Sequence, residues 1–161
     1  MTFLRFLMLL SLATWIGALI FFPVLAQVSF STLPSAHLAG TVVRDSLIKL
    51  HWIGIACGIV FLICSLAYDY YALGRARTFA ASHLSVVFML VLTAISQFLI
   101  IRRMDGLRVA AGEISSLPAE NPLRMHFESL HAWSVRVETA VLVIGLIVLY
   151  SVARKWSFPR P

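Results

Sequence analysis

"LHAWSVRVETAVLVIGL", residues Leu130 to Leu146, decides the fold class and poses the functional question at once. Its apolar character runs on to Val152 and reads as a membrane-spanning helix, yet Arg136 and Glu138 sit two residues apart inside it. Starting the span after Glu138 does not help, because Thr139 to Val152 covers only about 21 Å against a hydrocarbon core of about 30 Å. A carboxyl group must therefore be housed inside the bilayer, where it has to be protonated, paired or hydrated.

The rest of the chain agrees that a bilayer is the solvent. The 161 residues are 60% hydrophobic and only 12% charged, with a mean hydropathy of +0.92. That leaves too little polar surface to cover a soluble fold of this size. Four apolar runs lie near or above the roughly 20 residues a helix needs to cross: Phe3 to Leu25, Leu50 to Leu73, Ser82 to Ile101 and Trp133 to Val152. The expected fold is all-α, an integral membrane four-helix bundle in up-down order, forming a single domain over residues 1–161. The first run, with Arg5 before a Leu-rich stretch and "VLAQ" at Val24 to Gln27, has some features of a secretory signal. It exceeds the roughly 7 to 15 residues of a signal core and contains a late Pro23, so it reads as the first span.

Helical extensions outside the membrane are expected before the second and fourth spans. Asn121 is a good N-cap with Pro122 at the favoured first helical position, which starts the last helix two to three turns before Trp133. Thr32 and Pro34 read as a start signal for the second helix, with Leu38, Val42, Leu47 and Leu50 at roughly helical spacing and an interruption at Gly40. Between them, "RRMDGLRVAAGEISSLPAENP", from Arg102 to Pro122, mixes charge with Gly and Pro and reads as an interfacial turn.

Basic residues are evenly divided between the two sides of such a bundle. Arg5, Arg75, Arg77, Arg154, Lys155 and Arg160 stand against Arg44, Lys49, Arg102, Arg103, Arg108 and Arg124, six on each side. Arg5 abuts the first span and Arg44 lies far beyond it, so proximity tips both termini to the cytoplasmic face of a cytoplasmic membrane. The net charge of +6 suits anionic lipid head groups, and no interleaving of aromatic and basic residues points to nucleic acid.

In this order the second and fourth helices run parallel, so His51 of "KLHWIG" and His131 of "SLHAWS" enter from the same face. At about 100° per residue, His131, Ser134 and Glu138 share one stripe of the fourth helix, whereas Arg136 points about 200° away from Glu138 and can snorkel to the interface. On the second helix Arg44, His51, Gly54 and Gly58 share a stripe, and Gly54 and Gly58 form a small-xxx-small pair that lets helices approach closely. Ala13 and Gly17 form another such pair. Candidate partners for Glu138 are Arg44, Lys49, His51 and Arg136. The cluster reads either as a structural polar lock or as a site for a metal, a proton or a small ligand; an unpaired charge with local bilayer thinning is the third option.

His51 and His131 could act as axial ligands to haem or a transition metal, since imidazole suits both. His37 and His126 read as solvated loop residues, and Cys57 and Cys64 as small apolar packing residues with no disulfide framework. Ser85, Thr93 and Ser96 form a mild polar stripe suited to helix packing. No nucleophile elbow, phosphate loop or zinc-protease motif is present, so the chain reads as non-enzymatic.

The series "WIG", "FFPVLAQVSFSTLPSAHLAG", "KLHWIG" and "FESLHAWS" followed by "LVIGL" resembles the bacterial domain of unknown function grouped with the eukaryotic transmembrane protein 205-like family. The resemblance runs from Trp15 to Leu146 and implies one four-helix membrane domain. It marks Phe30, Ala39, Gly40, His51, Phe127, His131 and Ser134 as matching positions, and it brings no established reaction. Glu138 stands where that pattern holds a neutral Asn, and Arg136 where it holds an apolar residue. A more distant similarity, to copper-resistance membrane domains with a Trp-x-Gly first helix, keeps metal handling as an alternative. The expected role is a structural or accessory subunit packing in the bilayer with itself or a larger complex. The alternative is a handler or transporter of a small ligand, metal or haem, built on His51, His131 and Glu138.

Overall fold

The computed structural model describes residues 1–74 and 80–157, and every regular element among them is helical. Arg75, Arg77 and Arg160, and the side chain of Lys155, which entered the count of basic residues, lie outside the described residues.

The first helix, α1 (Thr2–Thr32), runs through Pro23 without a break, as spanning helices can when neighbours satisfy the freed backbone groups. It stops because Leu33 precedes Pro34 and is extended, with φ −82° and ψ 144°. The next helix, α2 (Ala36–Leu73), is capped by Ser35, whose hydroxyl accepts from the Leu38 amide at 3.2 Å, and ends at Gly74 in the left-handed conformation, φ 68°. The start signal is thus Ser35, while Thr32 belongs to α1. Gly40 does not interrupt α2: a lone glycine costs a helix only about 1 kcal/mol, which packing overrides.

The third rod is longer than expected and has a local fault. It consists of α3 (Ala81–Ile95), a π-helical stretch Ser96–Ile100 and α4 (Ile101–Ala111). The charged segment after Arg102, expected to be a turn, continues the helix. Nothing in it forces a stop until Gly112, which takes φ 69°. A 3-10 turn (Ile114–Ser116) leads to α5 (Pro122–Ser157). Asn121 caps α5, its Oδ1 accepting from the Leu123 amide at 2.9 Å. As expected, α2 and α5 begin well before the predicted span starts at Leu50 and Trp133.

The four rods close a ring in which α1 packs on α2, α2 on α3, α3 on α5, and α5 on α1. All four are long and apolar enough to cross a membrane, and large apolar side chains such as Phe21, Ile63, Leu146 and Ile147 cover the outside. So much exposed apolar surface is untenable in water and ordinary in lipid; the chain is a multi-pass membrane protein. In the interior, Trp15 lies fully buried against α2. A Cβ built on Gly54 would stand 2.4 Å from Trp15 Nε1, and one on Gly58 2.7 Å from Leu90 Cδ2. The absence of side chains at these two positions is what admits the indole. Ala13 and Gly17 behave differently. They face outward, and nothing lies within 4 Å of a Cβ built on Gly17, so the expected Ala13–Gly17 packing pair closes no contact within the chain.

Candidate functional site

The ring order sets α2 and α5 diagonally across the bundle, running in the same direction. His51 lies 15 residues into α2 and Glu138 16 residues into α5, about 22 and 24 Å from the respective helix starts, so they meet at one level. His51 Nε2 lies 2.7 Å from Glu138 Oε1, and His51 Nδ1 lies 2.8 Å from Gln97 Oε1. The imidazole is 0% exposed and the Glu138 side chain 15%. Gln97 falls within the π-helical stretch. The extra residue per turn re-phases the third rod at this point, a common use of π-bulges near functional sites.

Hydrogen-bond chemistry constrains the proton count. In the amide orientation assigned to Gln97, its Oε1 can only accept, so Nδ1 carries a hydrogen. One further proton serves the contact between Nε2 and Oε1. Whichever atom holds it, the His51–Glu138 pair has no net charge, as either a neutral pair or an ion pair. This satisfies the requirement that a carboxyl in the membrane be neutral or compensated. Glu138 Oε2 remains buried with no hydrogen-bond partner.

Of the other expected members, Ser134 is buried one turn before Glu138, while His131 is exposed a further turn out. The structure joins His51 to Glu138 and Gln97, not to His131. Both ring nitrogens of His51 are engaged in these two contacts. Among the described residues, no three His, Cys, Asp or Glu side chains converge to hold a metal ion. Arg136 is exposed and turned away from Glu138, with its guanidinium 5.1 Å from the centre of the Trp133 ring. Arg44 is taken by Asp105, its Nε and Nη2 meeting the two carboxylate oxygens at 2.5 Å each, and by Asp45 at 2.6 Å. This fork-to-fork geometry is the strong form of the Arg–carboxylate contact.

From the Glu138 level outward past the Arg44–Asp105 bridge, which lines it, the bundle contains a cavity of ≈ 520 Å³. Its walls come from α1, α2, α4 and α5 and are mainly apolar, with Leu19, Phe22, Leu47, Met104 and Leu142 among them. The polar exceptions are His131, Ser134, Glu138, Thr139, the Arg44–Asp105 bridge and Arg108. From Phe127, at the outer end, to Glu138 the cavity follows α5 for about 16 Å. The void explains why two residues on one stripe fare differently: Glu138 lies where the helices close on each other, and His131 where they stand around open space.

Gln97, Asp105 and Arg108 were missed in the sequence. Gln97 had a usable signal, being the one carboxamide in the third apolar run, and polar side chains in spanning helices are commonly interhelical donors or acceptors. Asp105 and Arg108 were hidden by reading their segment as a turn. A separate buried pair, His83 Nε2 with Ser65 Oγ at 2.6 Å, ties α3 to α2 away from the cavity.

Comparison with the curated proteins and with the solved structures gives no match. A family model, the domain of unknown function DUF4149, matches residues 10–113, which is 104 of the 161 residues. The matched stretch includes His51, Gln97, Arg44, Asp105 and Arg108, and stops before α5 and Glu138. On that match the chain belongs to the DUF4149 family of membrane domains of unknown function.

Proposed function

We propose that the protein is a non-enzymatic ligand-handling membrane protein, which holds a small and largely apolar molecule inside the bundle, at the level where α2 and α5 are locked together. The observation that carries this reading is the cavity. At ≈ 520 Å³ it falls within the roughly 300–1,000 Å³ of small-molecule pockets, and its few polar groups on apolar walls match their usual make-up. In this reading the His51–Gln97–Glu138 cluster is the fixed, uncharged end wall. With both termini cytoplasmic, as the placement of Arg5 suggests, the cavity mouth faces outward from a cytoplasmic membrane. The kinship with transmembrane protein 205-like proteins belongs to the same proposal and names no ligand.

Native mass spectrometry of the chain released from mild detergent tests the reading. A retained small-molecule mass other than bilayer phospholipid or detergent, absent from Ala26→Trp in which an indole occupies the cavity, is the expected result; identical bare masses for both proteins would count against it. Absorption and metal content of the same preparation address haem and metals, for which His51 offers no free ring nitrogen. The accessory-subunit reading has one observation in its favour, the outward-facing Ala13 and Gly17. Its mark would be a partner chain that copurifies with the wild type and is lost on Gly17→Leu.

A further inference from the structure

Arg108 lies where the cavity meets a second, outer pocket of ≈ 230 Å³, and it lines both. The cations around it are already occupied. Arg44 holds both oxygens of Asp105 and one of Asp45. Arg124 donates to Glu128 at 2.8 Å and to the Leu117 carbonyl at 2.8 Å. Arg108, half-buried, donates among the described residues a single long bond of 3.4 Å to the Gly40 carbonyl, and its guanidinium sits 5.3 Å from the centre of the Phe127 ring. A guanidinium has five N–H donors in a planar fork suited to a carboxylate or phosphate. Most of that hydrogen-bonding capacity is unused among the described residues, in a position too sheltered for full hydration; the Asp105 and Asp45 carboxylates act on the guanidinium through space, with Arg44 opposing them. The outer pocket adds the mutually paired Arg124 and Glu128, and Ala36 and His37 from the start of α2, whose first turn contains no acidic residue. The positive end of that helix reinforces the preference for an anion.

We infer that Arg108 receives the anionic head group, a phosphate or carboxylate, of a single-chain amphiphile whose apolar body fills the cavity. This rests on the cavity reading above and gives it a substrate class. The order of groups along the site is the reason. The cationic fork stands at the outer end, mainly apolar walls, broken by the internally paired Arg44–Asp105 bridge and by His131 and Ser134, follow for about 16 Å along α5, and the neutral His51–Glu138 pair closes the inner end. A free inorganic anion would satisfy Arg108 and leave the apolar space beside it unfilled. An uncharged amphiphile would fill that space and leave the guanidinium short of partners.

The test uses the full chain in phosphatidylcholine nanodiscs, titrated calorimetrically with dodecyl phosphate, dodecanol and inorganic phosphate. Dodecyl phosphate should bind at least about tenfold more tightly than dodecanol, as expected for a charge-assisted fork. Inorganic phosphate should bind far more weakly than either. Arg108→Gln should abolish the preference for dodecyl phosphate and leave dodecanol unchanged, and Arg108→Lys should retain part of the preference. The Lys variant keeps the charge, so the claim stays testable if the Gln variant folds poorly. Equal binding of dodecyl phosphate and dodecanol, a preference that survives Arg108→Gln, or inorganic phosphate binding as tightly as dodecyl phosphate would each overturn the inference. Ala26→Trp separates this failure from that of the cavity reading. If it removes dodecanol binding the cavity stands without a head-group preference, and if it leaves all binding intact both claims fall.

Discussion

The two halves of this bundle are built to different rules. Toward the α1 N-terminus and the ends of α2 and α5, the interior is dense: Phe61, Val86, Met89, Val141 and Val148 are almost completely buried, and Gly54 and Gly58 bring α2 onto Trp15. Toward the start of α2 and α5, the same four rods surround a partly open cavity, a diagonal polar pair and a fork-bonded Arg44–Asp105 bridge. Close packing without voids is the norm for protein interiors, so a void of this size flanked by fixed polar pairs points to an interior kept open for an occupant.

Mutations should register this contrast, and the largest effect is expected where the halves meet. His51→Ala removes the group that faces Glu138 and strands a buried carboxyl, which should destabilise the fold by about 3–5 kcal/mol, measured by unfolding in a graded sodium dodecyl sulfate mixture. A change below that range would mean that the pair is dispensable. Next is the dense half, where Gly54→Leu forces a side chain into the Trp15 indole. A loss of about 1–3 kcal/mol in the same assay follows from overpacking, and no loss would mean that the indole is free to move. Glu138→Gln should cost less, within about 1 kcal/mol, because the amide can still donate to His51 Nε2. Loss of folding in Glu138→Gln would instead mark Glu138 as the negative member of an obligatory ion pair. Arg136→Leu, on the outer surface beside Trp133, should stay within about 0.5 kcal/mol; a larger cost would show that Arg136 is bound to more than the interface.

The sequence made the dense half easier to read than the open one. Apolar run length alone placed four spans, and local cap chemistry at Asn121 and Pro122 placed the start of α5, because both signals are contained within a few residues. Glu138 could be singled out by depth, and His51 stood among its candidate partners by helix direction. The remaining features depend on three-dimensional phase. Gln97 meets His51 from within the π-helical stretch, where the helical period changes. The continuation of the third rod to Ala111 turns Asp105 and Arg108 from turn residues into cavity walls. A void has no sequence signature, and it separates His131 from Glu138 in spite of their shared stripe.

The account depends most on the claim that the void serves binding and not folding, and Ala26→Trp tests it when stability and binding are measured on the same samples. Filling a cavity normally leaves a fold as stable or more so. The account predicts an unfolding midpoint equal to or above that of the wild type together with lost binding of dodecyl phosphate. A variant that unfolds more readily while still binding the amphiphile would contradict it.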